Sequence, residues 1–140
     1  MKPFSLLTVA PELAAWLDAN AEAIDAGQEL APAILPQIGR ADLFRIGVPA
    51  DAGGLDGTTV DAIEAIASVA GYSLAAAFVF WGQRTFIEYV LQSQNEALRA
   101  RSLPTLLRGA LAGATGLSNA MKYLSDIEPL QMKATPIDDA

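Results

Sequence analysis

Apolar residues recur at helical spacing along the first part of the chain. Residues 12–26 carry a single apolar stripe, and Gly27 follows where such a helix would end. The stripe consists of Leu13, Trp16, Leu17, Ala21 and Ile24. A second helix is predicted at about residues 31–42, with Pro32 tolerated in its first turn and Pro36 either kinking the helix or marking its start.

A turn-rich corner follows these two helices. Residues 47–57, GVPADAGGLDG, contain four glycines and one proline, which is typical of a loop. The segment has neither a G-x-G-x-x-G pattern nor a Gly-Lys-Ser/Thr triplet, so it does not predict a phosphate-binding cradle. Thr58 and Asp61 predict a capping box that begins the next helix. We expect the apolar face of that helix to consist of Val60, Ile63, Ala67 and Ala70.

An uncharged stretch, residues 65–83, has the length of a membrane span. Gly71 interrupts it, and Ser73 is a suitable N-cap for a new helix that begins at Leu74, so we expect no membrane span. Residues 74–81 are apolar on every side, which predicts that this helix is the most buried one and the centre of the core. Its far end is expected to turn toward water at Arg84, Glu88 and Gln92.

Aromatic residues and a last helix complete the helical region. The aromatic cluster on the central helix could line an apolar ligand pocket, although core packing is the more ordinary role of such side chains. The cluster consists of Phe78, Phe80, Trp81, Phe86 and Tyr89. Asn95 is predicted to cap a final helix that runs through Leu107, and Pro104 is expected to bend or split it.

The pattern changes near Gly109. Residues 110–114 form a small apolar run and residues 130–134 alternate between apolar and polar side chains, so both are predicted to be short strands. The connection between them is rich in short polar side chains and contains Thr115, Gly116, Ser118, Asn119, Ser125 and Asp126. Two interpretations stay open: a ligand site on a backbone that glycine lets approach closely, or an ordinary loop whose polar side chains satisfy their own backbone.

Composition narrows the function classes. Hydrophobic residues make up 52% and charged residues 18% of the 140 residues, which favours one domain whose helices are buried on more than one side. The formal net charge of −7 argues against nucleic acid as a partner, because binding to the phosphate backbone requires a Lys/Arg-rich face. The apolar run at residues 4–10 is too short for a usual signal peptide, so we expect a cytoplasmic protein.

The chain contains neither Cys nor His. This composition excludes thiol nucleophiles, disulfides, Cys/His metal sites and imidazole acid–base chemistry. Any catalysis would therefore depend on carboxylates, hydroxyls or a cofactor, and we expect no metal site.

Several segments together resemble a known family. The corner GVPADAGGLDG, the helix pair IEAIASVAGYSLAAAF, the helix NEALRARSLPTLLRG and the strand-like ALAGATG are similar to the N-terminal part of acyl-CoA dehydrogenases. These flavoenzymes form a double bond between the α and β carbons of acyl-CoA thioesters. The resemblance implies a mainly α fold, with a bundle of about five helices at residues 1–108, followed at residues 109–140 by the first strands of an incomplete middle β domain.

A family motif close to T-E-P-x-x-G-S-D stands at the end of the first strand of that β domain. Thr115 matches its Thr, Gly116 replaces its Glu, and Ser125–Asp126 match its closing Ser-Asp after a longer connection, with Leu124 where Gly is usual. The resemblance implies bound FAD, contacted by Ala114, Thr115, Gly116 and Ser125. It also implies an acyl-CoA or related thioester as substrate, contacted by Phe80, Trp81, Gln83 and Ser125.

The resemblance places the catalytic base, a Glu, in a C-terminal domain beyond Ala140, so we expect no catalytic residue in this chain. We therefore expect the N-terminal portion of an oxidoreductase that forms a homo-oligomer at full length, is inactive as this portion alone and holds flavin weakly. Two alternatives are a stand-alone helical interaction module and a flavin monooxygenase relative of the same fold.

Overall fold

The computed structural model describes residues 4–27, 30–133 and 135. Within these ranges the chain forms seven α-helices and two short 3-10 helices, Leu43–Arg45 and Ala50–Ala52. The α-helices are α1 (Leu6–Val9), α2 (Pro11–Asp25), α3 (Ala31–Arg40), α4 (Thr59–Ala70), α5 (Leu74–Gln92), α6 (Glu96–Leu107) and α7 (Leu117–Leu124). The mainly α fold is confirmed, and α2 to α6 are the five predicted helices.

Helix α5 is the centre of the bundle, as predicted. It packs against α2, α3, α4 and α6, and its Phe80 is fully buried. The Phe80 ring meets the ring of Phe44 edge to face, with 5.5 Å between the ring centroids. Buried side chains from the neighbouring helices join these two rings in one continuous core, among them Leu6, Leu17, Ile38 and Leu106.

One side of α5 is exposed, contrary to the expectation that residues 74–81 are buried on every side. Leu74, Phe78 and Trp81 have exposed fractions of 72%, 69% and 40%. Their spacing of i, i+4 and i+7 places them in one stripe on the helix surface. Packing by the neighbouring helices, and not hydrophobicity, decides which side of α5 is covered. Among the described helices, none combines the length and apolar character needed to cross a membrane.

Arg84 is buried, contrary to the expectation that it turns toward water. Only 5% of the residue is exposed. Its guanidinium donates to the backbone carbonyls of Ile46 at 3.3 Å and Gly47 at 2.9 Å, and to the Glu88 carboxylate at 3.0 Å. A buried charge is tolerated when its donors are paired in this way, and here the pairing anchors the turn-rich corner to α5. Hydrogen bonds, the largest effect being that from Gln92, lower the pKa of Glu88 below its ordinary value.

The buried side of α4 also differs from the predicted one. The predicted side is exposed at all four of its positions, Val60, Ile63, Ala67 and Ala70. Ala62, Ala65 and Val69 are buried instead, because contacts with α5 and α1 select the side that faces the core. The predicted capping box is confirmed. Thr58 accepts the Asp61 N–H at 3.3 Å, and the Asp61 carboxylate accepts the Thr58 N–H at 2.6 Å.

Two prolines lie inside continuous helices. Pro36 lies within α3 and Pro104 within α6, so Pro104 does not split the last helix of the bundle. Helix α3 ends at Arg40 and does not reach residue 42, because Asp42 adopts a left-handed conformation with a φ of 58°. Asn95 caps α6 as predicted, and its side chain accepts a first-turn backbone N–H at 2.9 Å.

The two predicted strands do not form in the described part of the chain. Residues 110–114 and 130–133 have no strand structure, and Ala134 lies outside the described residues. In residues 110–114, two backbone groups form hydrogen bonds with the side chain of Gln83. In a sheet, a neighbouring strand would provide such partners. Helix α7 occupies much of the predicted polar connection. The assignment of residues 109–140 to a β domain stays a prediction.

Gln83 holds the chain where it leaves the bundle. Its side chain is only 1% exposed. The amide nitrogen donates to the carbonyl oxygens of Leu106 and Leu111, both at 2.9 Å, and the amide oxygen accepts the N–H of Gly113 at 2.6 Å. One side chain therefore satisfies three backbone groups at and after the end of α6.

Asp25 joins the end of α2 to the start of α5. The Ser73 hydroxyl caps α5 by accepting the Ala76 N–H at 3.1 Å, and it donates to the Asp25 carboxylate at 2.5 Å. The Ala75 N–H also donates to Asp25, at 3.2 Å. These hydrogen bonds, led by the one from Ser73, hold the pKa of Asp25 below its ordinary value.

We expect Gln83→Leu to lower the free energy of unfolding by about 2–4 kcal/mol, because three backbone groups lose their partner while the side-chain volume is nearly kept. Urea denaturation measures this loss. The control is Gln92→Leu on the same helix, where the amide donates to the part-exposed Glu88 carboxylate. Equal losses in both variants would show that the Gln83 amide does not hold the segment after α6.

We expect Asp25→Asn to lower Tm near neutral pH and to have little effect at about pH 2. Because the folded-state pKa of Asp25 lies below the unfolded value, its stabilisation is present above the unfolded pKa and is lost as pH falls through the folded pKa. The difference in Tm should therefore close below about pH 4. Asp18→Asn, on the exposed side of α2, is the control. A difference that persists unchanged in strong acid contradicts this role.

Candidate functional site

The segment 111–115 lies along one side of α5. Gln83 binds two backbone groups near its start. The Phe86 ring lies so close to the central glycine of the segment that a Cβ there would collide with it. The hydroxyl oxygens of Tyr89 and Thr115 are 3.4 Å apart. Gln83, Phe86 and Tyr89 follow one another along α5, and they contact successively later residues of the segment. The segment therefore runs in the same direction as the helix.

An apolar groove opens between α5, the start of α3 and this segment. Its volume is about 450 Å³. The lining residues are Ala31, Pro32 and Leu35 from α3, Phe78, Val79 and Gly82 from α5, and Ala112, Gly113 and Ala114. Every lining side chain is a hydrocarbon or, in the glycines, absent, so no lining side chain is charged or forms hydrogen bonds. Such walls fit an apolar ligand.

A larger cleft, of about 670 Å³, lies between the turn-rich corner and α6. Its lining includes charged side chains, and Arg99 and Glu96 form a loose ion pair at 3.8 Å. None of the residues that the sequence assigned to flavin or substrate lines this cleft. We therefore take the apolar groove, which Ala114 does line, as the candidate site.

The three predicted substrate residues on α5 have different surroundings. Phe80 is fully buried against Phe44, and Gln83 is buried with its amide bonded to the backbone. Trp81 is 40% exposed, and its ring centroid lies 5.5 Å from that of Phe78, which lines the groove. Trp81 is therefore the member of this set with open surface next to the groove. The substrate contacts of all three residues stay predictions.

The predicted flavin residues fall into two places. Ala114, Thr115 and Gly116 follow one another beside the groove, and the Thr115 hydroxyl accepts the Leu117 N–H at 3.1 Å. Gly116 is the N-cap and Ser125 the C-cap of the eight-residue helix α7. At a rise of about 1.5 Å per residue, they lie roughly 13 Å apart along the helix. The flavin contacts of these four residues stay predictions.

The chain's own side chains fill the space beside two glycines of this region. A Cβ on Gly113 would collide with the Phe86 ring, and a Cβ on Gly116 would collide with the side chain of a later methionine. These glycines therefore allow neighbouring side chains to pack where a Cβ would otherwise stand. Beside the groove, Ala114 and the Thr115 hydroxyl form an edge that a flavin could contact. The described residues fit one edge of an isoalloxazine ring and do not enclose it.

Polar side chains of α7 form hydrogen bonds with side chains and backbone groups of the turn that follows the helix. The Asn119 amide nitrogen donates to the Glu128 carboxylate at 2.9 Å and to the Pro129 carbonyl at 3.2 Å, and its oxygen accepts the Gln131 N–H at 3.0 Å. The hydrogen bond from Asn119, with a smaller effect of Lys122, lowers the pKa of Glu128. The Asn119 side chain is thus paired within its own segment, as the second interpretation expected, although the residue lies in helix α7 and not in a loop.

Sequence reasoning missed α7 and the part that α3 has in the groove. The signal for α7 was present, because Leu117, Met121 and Leu124 have helical spacing. A signal for the groove was also present in Gly82, a glycine inside an otherwise helical pattern. No local pattern indicates that the start of α3 forms the opposite wall.

The family description "Acyl-CoA dehydrogenase, N-terminal domain" matches residues 8–110, which is more than half of the chain. Comparisons with curated proteins and with solved structures gave no significant match. The matched residues include α2 to α6 and end just before the segment that completes the groove. The chain therefore belongs to the acyl-CoA dehydrogenase family, through the N-terminal domain of that family.

Proposed function

We propose that this chain is the N-terminal helical portion of an FAD-dependent acyl-CoA dehydrogenase-like oxidoreductase that acts on the CH–CH bond of acyl thioesters. In this proposal the apolar groove holds the acyl chain. The observation that carries the proposal is the lining of the groove by nine residues whose side chains are hydrocarbon or absent. The groove also adjoins Ala114 and Thr115, to which the family resemblance assigns the flavin.

Affinity in such a groove comes from burial of hydrocarbon. Each methylene group removed from water contributes about 0.8 kcal/mol, so several buried methylenes hold an acyl chain without any hydrogen bond. The ring of Phe78 is largely exposed and would be covered by the bound chain. A hydroxyl or a charge on the buried part of the ligand would lose its hydration without gaining a partner. The groove therefore selects for an unsubstituted hydrocarbon.

The chemistry that FAD supplies in this family is acceptance of a hydride from the β carbon of the acyl group. Ala114 and Thr115 would hold one edge of the flavin ring, and Gly116 and Ser125 are further proposed contacts. The Thr115 oxygen accepts a backbone N–H, which leaves its own proton for the flavin or for the Tyr89 hydroxyl. The chain would thus bind and orient the ring edge next to the acyl chain.

Removal of the proton from the acyl α carbon requires a base, and no carboxylate is among the described residues that line the groove. We therefore propose that the base comes from a part of the enzyme other than these residues. This chain would bind the acyl group, exclude water from it and orient it, and it would not carry out the oxidation alone. Association with further copies at full length belongs to the same proposal.

A second candidate function is a helical interaction module. The observation that favours it is the exposed apolar side of α7, where Leu117, Met121 and Leu124 are 47%, 55% and 75% exposed. Apolar residues at i, i+4 and i+7 are the pattern with which an amphipathic helix enters a groove on a partner.

We expect acyl-CoA to change the fluorescence of Trp81. The chain has two tryptophans, so Trp81 is the sole one in the Trp16→Phe variant. Its emission should shift to shorter wavelength, and saturate, as decanoyl-CoA is added, because a bound acyl chain would displace water around Trp81 and Phe78. CoA without an acyl group is the control probe and should cause no shift. Equal responses to the two probes, or no response, would contradict the proposed function.

The two candidate functions differ in their dependence on α7. We expect Leu124→Lys to leave the affinity for decanoyl-CoA unchanged within about twofold, because Leu124 does not line the groove. Sedimentation velocity on the same variant tests the module. Self-association of the wild-type chain that Leu124→Lys abolishes would support it, and a monomeric wild-type chain would count against it. Ser118→Lys, on the polar side of α7, is the matched control.

A further inference from the structure

Helix α7 gains little stability from the rest of the described chain. It has eight residues, all of them described, and none of them is buried. An isolated helix shorter than about 12–15 residues is marginal in water, and most helical stability in proteins comes from packing of an apolar side. The apolar side of α7 therefore requires a cover that the described residues do not provide.

Exposed apolar side chains are concentrated around α7. Of the seventeen large apolar residues that are exposed in the described chain, eight lie in residues 111–132. A stable interface takes about 20–30 residues from each partner, and this stretch alone approaches that size. Such a concentration marks an interaction surface. The eight residues, with exposed fractions from 41% to 75%, are Leu111, Leu117, Met121, Tyr123, Leu124, Ile127, Leu130 and Met132.

The apolar side of α7 is complementary to itself. Asn119 holds the following turn on the polar side of the helix, and Leu117, Met121 and Leu124 form the opposite side. This stripe has a leucine at each end, and the small side chain of Ala120 lies beside Met121 at its centre. It therefore has nearly the same pattern in both directions, which suits an antiparallel pair of identical helices.

The charge of this part of the chain does not oppose such a pair. The whole chain has a formal net charge of −7, so two copies repel each other over most of their surfaces. In residues 109–133, however, two lysines balance one aspartate and one glutamate. The Lys122 ammonium lies 3.4 Å from the Glu128 carboxylate of its own chain. A neutral, apolar surface fits another surface of the same kind, and a second copy supplies one.

We propose that α7 binds the α7 of a second copy of this chain in an antiparallel pair with two-fold symmetry. Leu117 of each copy faces Leu124 of the other, and the two Met121 side chains lie near the axis. The inference rests on the interaction module, the second candidate function, and names its partner. Helix α7 lies beyond residues 8–110, so the family match does not account for this pairing. The pair covers both short helices at once, and each gains the packing that it lacks alone.

Cysteine cross-linking of the 140-residue chain tests the pairing, because the chain has no cysteine of its own. A disulfide requires two Cα atoms about 4.4–6.8 Å apart, so it reports which positions face each other. We expect a mixture of Leu117→Cys and Leu124→Cys to form a linked dimer under mild oxidation. Each variant alone should form much less, because identical positions would lie about 10 Å apart along the pair. Met121→Cys should link with itself, and Ser118→Cys, on the polar side, is the matched control and should stay monomeric.

An exchange of charges tests the same contact without cysteine. Leu124→Lys and Leu117→Glu should each raise the dissociation constant of the dimer by at least about tenfold, because a charge replaces a buried leucine in both copies. An equimolar mixture of the two variants should recover most of the dimer, since the introduced lysine and glutamate would face each other. Sedimentation velocity over a series of concentrations measures both effects.

The outcomes separate the pairing from the functions proposed above. If Leu124→Cys links with itself and not with Leu117→Cys, the helices pair in parallel and the inference is overturned. A link between Met121→Cys and Ala112→Cys would place α7 in the groove of a second copy, which overturns the antiparallel pair and keeps the module. A monomeric wild-type chain without cross-links overturns both the pair and the module. The binding of decanoyl-CoA does not involve α7 and tests the oxidoreductase proposal separately.

Discussion

The side-chain amide of Gln83 connects parts of the chain that otherwise lack a reason to meet. It lies inside the bundle on α5 and pairs with a carbonyl at the end of α6 and with two backbone groups of the segment that follows. A glutamine is suited to this position because it carries two donors and an acceptor on one short group. Without those bonds the segment would have unpaired backbone groups next to the core, and the apolar groove would lose one wall.

Helix α5 determines most of the architecture because each of its sides has different surroundings. Phe80 packs into the core, Arg84 binds the carbonyls of the turn-rich corner, and Gln83 binds the segment after α6. The side with Phe78 and Gly82 remains open and lines the groove. Because one packed helix carries all these contacts, the groove is built on a rigid element, as the positioning of a ligand requires.

The residues with small or absent side chains that line the groove differ in what they contribute to the packing of the chain. Small side chains in residues 112–114 allow the segment to lie close to α5, where a Cβ on Gly113 would already collide with Phe86. Gly82 shows the reverse case, because its empty Cβ position adds nothing to packing and weakens the helix. The family description covers residues 8–110, and residues 112–114, which lie beyond it, form one wall of the groove.

By itself the sequence determined the helices between residues 11 and 107, because helical periodicity, the capping box at Thr58 and the cap at Asn95 are local features. It also indicated the family, since the matching residues lie in that region. Only the tertiary structure decided which side of α4 is buried, because both sides are apolar. It also decided that Gln83 replaces strand pairing after α6 and that residues of α3, α5 and 112–114, far apart in the chain, line one groove. Such contacts depend on packing between distant segments, which no local pattern encodes.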